Sequence, residues 1–118
     1  MSKKNKEKEE RPWGKYVVLH DSDDCKVKRI TVKPGQRLSY QYHHKRSEIW
    51  TFVCGEGIVT LNDVDILVKE KTVVQIGMGD RHRVHNTGDK ILEFIEVQLG
   101  SYFGEDDIVR LEDDFGRA

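Results

Sequence analysis

The sequence predicts an all-β fold, an antiparallel sandwich or barrel built as a single domain. Between residues 15 and 98 it contains nine short runs rich in β-branched, aromatic and leucine residues, the composition of β-strands. Turn-forming residues separate these runs at close spacing, and no window in this range holds a helical period over ten residues. Short strands in close succession favour antiparallel sheets over alternating strands and helices. A chain of 118 residues is long enough for one hydrophobic core.

The predicted strands follow one another along most of the chain. In order they span 15–20, 25–32, 37–42, 48–54, 57–61, 64–69, 72–76, 82–85 and 90–98. Glycine, proline, asparagine and aspartate mark the turns between them, and the pair Asn62-Asp63 suits a tight hairpin. The acidic stretch 101–118 carries a few apolar residues, and we expect either a short strand or one helical turn on the outside of the barrel.

The ends and the charge balance of the chain limit where it works and what it binds. Residues 1–10 have mixed charge and nothing to bury, so we predict a disordered tail there and the folded domain over 11–118. The first ten residues lack the apolar region of a signal peptide, and no run approaches the ~20 apolar residues of a membrane helix. We therefore predict a cytoplasmic protein without a membrane partner. A formal net charge of -1 argues against nucleic acid as a partner.

Four polar residues are candidates for a metal site. Gln41 lies near the end of a predicted strand and His43 follows two positions later, so on an extended chain their side chains would share a face. Glu48 follows on the next strand, and His82 opens a later one. Two imidazoles, a carboxylate and a neutral oxygen suit a divalent ion such as Zn, Fe, Mn, Ni or Co and leave coordination positions open. Taken alone, His43 or Glu48 would more often be an ordinary polar residue at a solvated strand end, so the hypothesis depends on the ordered set.

The first part of this set resembles the first motif of the cupin family, in which glycine, two histidines, glutamate and glycine follow at fixed spacing. The corresponding residues here are Gly35, Gln41, His43, Glu48 and Gly55, with glutamine in place of the first histidine. The resemblance implies that the glutamine, histidine and glutamate are metal ligands.

The second cupin motif is matched by Gly79, His82 and Asn86, and Gly77 stands where the family usually has proline. Two motifs at this separation imply the cupin jelly-roll barrel, also called a double-stranded β-helix. The number of predicted strands points to the same fold independently. The motif implies that His82 completes the ligand set.

Three longer segments resemble one particular cupin group, the isomerase domain of type II mannose-6-phosphate isomerases. They are RPWGKY at 11–16, KVKRITVKPGQRLSYQYHHKRSEIW at 26–50 and GEDDIVRLEDDFGR at 104–117. That group also has glutamine at the first ligand position. The resemblance implies a metal-dependent isomerase that interconverts mannose 6-phosphate and fructose 6-phosphate, with zinc as the predicted ion and a homodimer as the predicted assembly.

Three basic residues are candidates for binding or stabilising an anionic sugar phosphate. Arg46 lies between two predicted ligands in the HHKRSE run and is the predicted catalytic cation, with a solvated loop arginine as the alternative. Lys28 and Arg29 belong to the matching KVKRI strand and are predicted to bind the substrate phosphate. Only one of these two can face the interior of a strand, and the sequence leaves open which.

Three positions depart from the pattern of the isomerase group and suggest an alternative. Ile49 replaces a histidine, His85 replaces a glutamate, and Gly77 replaces the proline. The changes at Ile49 and His85 favour a module that binds metal and sugar without catalysis. A cupin dioxygenase is a third possibility, but such enzymes usually present three histidines and a glutamate, so Gln41 argues against it. No general base is evident, because His44 and His85 should both point away from the metal.

Overall fold

The computed structural model describes residues 8–116, and within this range the chain forms eleven β-strands and no helix. The strands are β1 (Lys8–Arg11), β2 (Gly14–Asp21), β3 (Cys25–Val32), β4 (Tyr40–Tyr42), β5 (Arg46–Cys54), β6 (Glu56–Leu61), β7 (Val64–Lys69), β8 (Val73–Ile76), β9 (His82–His85), β10 (Leu92–Gly100) and β11 (Val109–Glu112). All nine predicted runs contain a strand, although β4 is shorter than its run. The predicted all-β class is confirmed.

The strands form two antiparallel sheets. One sheet has six strands in the order β1-β2-β3-β10-β5-β8, and the other has five in the order β11-β4-β9-β6-β7. Non-consecutive strands lie side by side in both sheets, as in a jelly roll. Within residues 8–116 no helix is long and apolar enough to span a membrane.

The two extra strands lie at the ends of the described chain. β1 pairs with β2, so Lys8 to Glu10 belong to the six-stranded sheet rather than to the predicted tail, while residues 1–7 of that tail lie outside the described residues. β11 pairs with β4 at the edge of the five-stranded sheet. Of the two forms expected for the stretch 101–118, the short strand is therefore the one found at 109–112.

The predicted hairpin at Asn62-Asp63 joins β6 to β7. Both residues have positive φ, 49° and 68°, and Leu61 pairs directly with Val64 across the turn. Two successive positive φ values define the type I′ turn, whose twist matches that of the flanking strands. Asparagine and aspartate tolerate this conformation better than other non-glycine residues, which is why the pair predicted the hairpin.

The interior of the barrel is divided into an apolar half and a polar half. On β5 the buried side chains change from Arg46 and Glu48 to Trp50 and Phe52. β10 and β3 change in the same way: Gln98 and Glu96 give way to Phe94 and Leu92, and Lys28 gives way to Ile30 and Val32. The antiparallel register places Glu96 opposite both Lys28 and Trp50. The change from polar to apolar side chains therefore occurs at neighbouring positions on all three strands. The polar half is where the candidate site lies.

Asn86 ties the loop after β9 to the six-stranded sheet. Its side chain is fully buried, and its Nδ2 donates to the carbonyl oxygens of Val32 at 2.9 Å and Lys90 at 2.8 Å. Its Oδ1 accepts the N–H of Gly88 at 2.9 Å. One side chain therefore satisfies three backbone groups, of which the Val32 carbonyl bond is buried and the other two are partly buried.

We expect Asn86→Ala to lower the free energy of unfolding by about 2 kcal/mol, because one buried and one partly buried carbonyl group lose their donor and one N–H loses its acceptor. Urea denaturation measures the change, and the neighbouring exposed Thr87→Ala is the matched control, expected within about 0.5 kcal/mol of the unmodified chain. Equal effects of the two substitutions would contradict this account of the loop.

Candidate metal centre

Three of the four predicted ligands converge in the polar half of the barrel. One ligand atom from each of His43, Glu48 and His82 lies within 4.8 Å of the others, and all three side chains are buried. His43 follows the end of β4, Glu48 lies within β5, and His82 begins β9. The cluster therefore joins both sheets, and it depends on the barrel being closed at this end.

Hydrogen bonds to backbone carbonyls orient the two imidazoles. His43 Nδ1 lies 2.6 Å from the carbonyl oxygen of Asp107, and His82 Nδ1 lies 2.9 Å from that of Asp80. A carbonyl oxygen only accepts, so Nδ1 carries the proton in both rings and Nε2 presents its lone pair to the cluster. Burial lowers the pKa of His43 to about 4 and also lowers the pKa of His82, so both rings are neutral at neutral pH, as metal ligands must be.

The Glu48 carboxylate is held by two donors from its own strand. Arg46 Nε donates to Oε2 at 2.8 Å, and Trp50 Nε1 donates to Oε1 at 2.9 Å. Both donors are two residues from Glu48, so strand alternation places all three on the inner face of β5. Each carboxylate oxygen keeps a second lone pair that can bind a metal ion.

The cluster fits a divalent cation. His82 Nε2 is buried and has no hydrogen-bond partner within residues 8–116, although buried polar atoms are almost always satisfied. Glu48 Oε1 lies 3.9 Å from it, and Glu48 Oε2 lies 3.4 Å from His43 Nε2. Two imidazole nitrogens and a carboxylate oxygen at such separations match the donor set of catalytic zinc and related sites, with room for further ligands.

Gln41, the predicted fourth ligand, lies beside this cluster. It is paired with His82 across β4 and β9, so the two side chains share a face of the five-stranded sheet. Its Oε1 accepts a hydrogen bond from Ser39 Oγ at 2.6 Å, and Ser39 is almost fully buried. Ser39 thereby fixes the orientation of the amide. A ligand role for Gln41 stays a prediction.

Arg46, the predicted catalytic cation, contacts the cluster directly. Its side chain is only 5% exposed, and its NH2 lies 3.3 Å from His43 Nε2. Its NH1 is buried without a hydrogen-bond partner within residues 8–116. Burial alone would lower the pKa of Arg46, but Glu48 and Glu96 outweigh it and raise that pKa above its usual value. The residue is not the solvated loop arginine of the alternative interpretation.

A cavity of about 100 Å³ opens beside the cluster, and it decides between Lys28 and Arg29. Lys28 lines this cavity and is almost fully buried, with its Nζ 2.6 Å from Glu105 Oε2. Arg29 points to the outer face of β3, where it is exposed and pairs with Glu93 at 2.7 Å. The structure therefore places Lys28 and not Arg29 at this cavity, because alternation along β3 turns Arg29 away, and substrate contact by Lys28 stays a prediction.

The ion pair of Lys28 lies at the mouth of the cavity. The Lys28 side chain is 4% exposed and that of Glu105 is 49% exposed. Burial alone would lower the pKa of Lys28, but Glu96 and Glu105 together raise it above its usual value. The ammonium group is therefore charged at neutral pH.

Glu96 belongs to the site and was not found from the sequence. It lines the cavity, it is 5% exposed, and its Oε1 accepts a hydrogen bond from Gln98 Nε2 at 2.7 Å. Burial, followed by the nearby Glu48 carboxylate, raises the pKa of Glu96 to about 8. A signal was available, since Glu96 and Gln98 continue the inward alternation of Leu92 and Phe94 along β10.

The three departures from the isomerase pattern lie away from the ligand atoms. Ile49 adjoins Glu48 on β5 and so points to the opposite face of the sheet. His85 lies in a separate groove on the outside of the barrel. Gly77 starts the turn before His82, and its N–H donates to the Asp80 carboxylate at 2.7 Å, a bond that proline could not make.

Comparison with known proteins identifies the family of this chain and agrees with the fold. The family model described as "Mannose-6-phosphate isomerase C-terminal" matches residues 1–113. The xanthan biosynthesis protein XanB of Xanthomonas campestris pv. campestris (strain B100) is 51% identical over 108 residues, covering 92% of this chain and 23% of XanB. The alginate biosynthesis protein AlgA of Pseudomonas aeruginosa is 50% identical over 108 residues, covering 92% of this chain and 22% of AlgA. This chain thus spans less than a quarter of the length of these curated relatives.

Solved structures share the fold at lower identity. The capsular polysaccharide assembling protein CapF of Staphylococcus aureus superposes with a TM-score of 0.80 and 24% identity, over 91% of this chain and 32% of CapF. A Klebsiella pneumoniae protein with a double-stranded β-helix domain has a TM-score of 0.72 and 22% identity, over 81% of this chain and 82% of that protein. The predicted cupin jelly roll is therefore confirmed, and the chain belongs to the mannose-6-phosphate isomerase C-terminal family.

Proposed function

We propose that this chain is a metal-dependent sugar-phosphate isomerase that interconverts mannose 6-phosphate and fructose 6-phosphate. The observation that carries the proposal is the buried cluster of His43, Glu48 and His82 in a chain of this family. Arg46, which contacts His43 and Glu48, also lines the neighbouring cavity. Zinc as the ion, Gln41 as the fourth ligand, a homodimer and a cytoplasmic location stay predictions.

The reaction moves a proton between C1 and C2 of the sugar through an enediol, and negative charge develops on the substrate oxygens. A divalent ion held by the cluster would stabilise that charge as a Lewis acid. Arg46 would donate from its unpartnered NH1 to the same oxygens, since its guanidinium lies next to the ligands and lines the cavity. We therefore assign Arg46 as the catalytic cation.

We assign the proton transfer to Glu96. Two acidic side chains line the cavity, and Glu105 is engaged with Lys28 at its mouth, whereas Glu96 lies deeper between Lys28 and Trp50 in the strand register. Gln98 donates to Oε1 of Glu96, and Glu48 also interacts with this carboxyl, whose pKa burial raises to about 8. The ionised form of Glu96 would accept the substrate proton, and the carboxylic acid so formed would return it, so turnover should rise with pH toward 8.

The charge of the cavity supports an anionic substrate. Four cationic side chains line it against two acidic ones: Arg11, Lys28, Arg46 and Arg110, with Glu96 and Glu105. We propose that Lys28, charged and at the mouth, contacts the substrate phosphate, as a compact point charge does in many phosphate sites. The alternative, a module that binds metal and sugar phosphate without turnover, has less support because Ile49 and His85 do not face the cluster.

The metal requirement is tested by removal and by substitution. We expect chelation to abolish turnover in a coupled assay of mannose 6-phosphate and fructose 6-phosphate, and added zinc to restore it. His82→Ala should lower metal content, measured by elemental analysis, and reduce turnover by more than the roughly 10–100-fold typical of changes in the outer shell of a metal site. His85→Ala, on the outer groove, is the control and should leave both unchanged. A metal-loaded chain that binds sugar phosphate without turning it over would instead support the binding module.

Glu96→Gln tests the proton-transfer assignment. The substitution keeps the shape of the side chain but removes its ability to take up a proton, so kcat should fall by about 10²–10⁴ while metal content is unchanged. Glu93→Gln, three positions earlier on the same strand but paired with Arg29 on the outer face, is the control and should retain kcat. A Glu96→Gln variant that keeps full turnover would exclude Glu96 as the base.

The same variant gives a pH dependence of stability. The Glu96 carboxyl titrates near 4.5 in the unfolded chain and at about 8 in the folded chain. Its pKa is raised on folding, so the unmodified chain should lose stability relative to Glu96→Gln as pH rises from about 5 to about 8, by a few kcal/mol at most. Urea denaturation of both chains across this range, in the presence of chelator, measures the difference. A constant difference across the range would contradict the assignment of the shift to Glu96.

A further inference from the structure

Asp107 contacts three consecutive residues that begin with the candidate ligand His43. Its backbone carbonyl oxygen lies 2.6 Å from His43 Nδ1. Its carboxylate accepts the N–H of His44 at Oδ1, 3.0 Å, and the N–H of Lys45 at Oδ2, 2.9 Å. Asp107 is 8% exposed, so these bonds are largely protected from competing water.

The contacted residues form the loop between β4 and β5, which no strand pairing fixes. β4 ends at Tyr42 and β5 begins at Arg46, so His43 lies just beyond the strand that carries Gln41. The other bonds of the loop also come from distant segments: Gly79 N–H donates to His43 O at 2.8 Å. Strand alternation therefore does not determine where the His43 ring points, and tertiary contacts must.

The segment that carries Asp107 is itself anchored on the opposite side of the cavity. Asp107 N–H donates to Gly104 O at 3.2 Å, which closes a turn. Within that turn Glu105 pairs with the buried Lys28 of β3. The turn thus connects the six-stranded sheet to the β4–β5 loop across the mouth of the cavity.

We propose that Asp107 is a positioning residue of the metal centre: its carboxylate fixes the 43–45 loop so that its carbonyl holds the Nδ1–H form of His43, with Nε2 directed at Glu48 and His82. The inference rests on the proposed metal site but not on turnover. Partners that hold the far nitrogen of a ligand histidine fix its tautomer and strengthen metal binding, and their loss typically weakens affinity 10–100-fold.

Asp107→Ala, compared with Asp106→Ala, tests the role. Asp106 is the neighbouring acid, exposed, and its carboxylate contacts only the exposed Tyr102 hydroxyl among the bonds described for it. We expect Asp107→Ala to weaken zinc and cobalt binding about 10–100-fold by competition titration, and to alter the cobalt absorption spectrum. In NMR of imidazole nitrogens, its His43 signals should move from the Nδ1–H form to a mixture of tautomers. Asp106→Ala should match the unmodified chain in all three measurements.

The outcomes separate this role from general destabilisation and from the proposed reaction. If Asp107→Ala does not fold, Asp107→Asn keeps one acceptor oxygen and should give intermediate affinity with a partial tautomer shift. A folded Asp107 variant with unchanged His43 tautomer and unchanged metal affinity overturns the inference. If the unmodified chain binds metal without turnover, the proposed reaction fails and the inference is still decided by affinity. If it binds no metal, the inference is overturned together with the proposed metal site.

Discussion

The buried carboxylate of Glu48 is the constraint on which this end of the barrel depends. An ionised group out of contact with water is costly unless it is paired and hydrogen-bonded, and Glu48 is 1% exposed. Arg46 and Trp50 meet this requirement from the same strand, and both are buried with it. Arg46 is in turn a buried cation, stabilised by Glu48 and Glu96. Each buried polar group at this end therefore depends on a neighbour for its hydrogen bond or its counter-charge. The network is complete only when β5, β9 and β10 are assembled.

Trp50 connects this network to the part of the interior that stabilises the fold. Its indole N–H binds Glu48, while its ring lies 4.5 Å from Phe94 and 6.4 Å from Phe52, between centroids. Such aromatic contacts contribute roughly 0.5–1.5 kcal/mol each beyond burial of apolar area. The apolar half thus holds Trp50 in place, and Trp50 in turn holds the Glu48 carboxylate. The division of the interior into two halves explains how a small barrel can keep several buried charges. Burial of apolar side chains in one half offsets the free-energy cost of burying charged groups in the other.

The strands could be predicted from the sequence because they follow from alternation and turn chemistry, and most of the site could be predicted because its residues resemble the two cupin motifs. The sequence placed nine strands, the cluster of His43, Glu48 and His82, and a cationic Arg46. The sequence left open which of Lys28 and Arg29 faces the interior. A signal was present, because the apolar Ile30 and Val32 lie on the same face of β3 as Lys28. Glu96 escapes prediction because a charged residue is rarely buried, so one that interrupts an apolar run is expected to face solvent.

Asp107 could not have been found, and the reason is general. It acts through a backbone carbonyl, which every residue possesses, and it meets His43 from 64 positions away in sequence. Its neighbours Glu105 and Asp106 have the same charge, so composition does not distinguish it from them. Local pattern predicts which side chains share a strand face, but a histidine just beyond the end of a strand takes its direction from tertiary contacts. The orientation of His43 is therefore a property of the closed barrel, and the residue types that bind metal are only half of what makes the site.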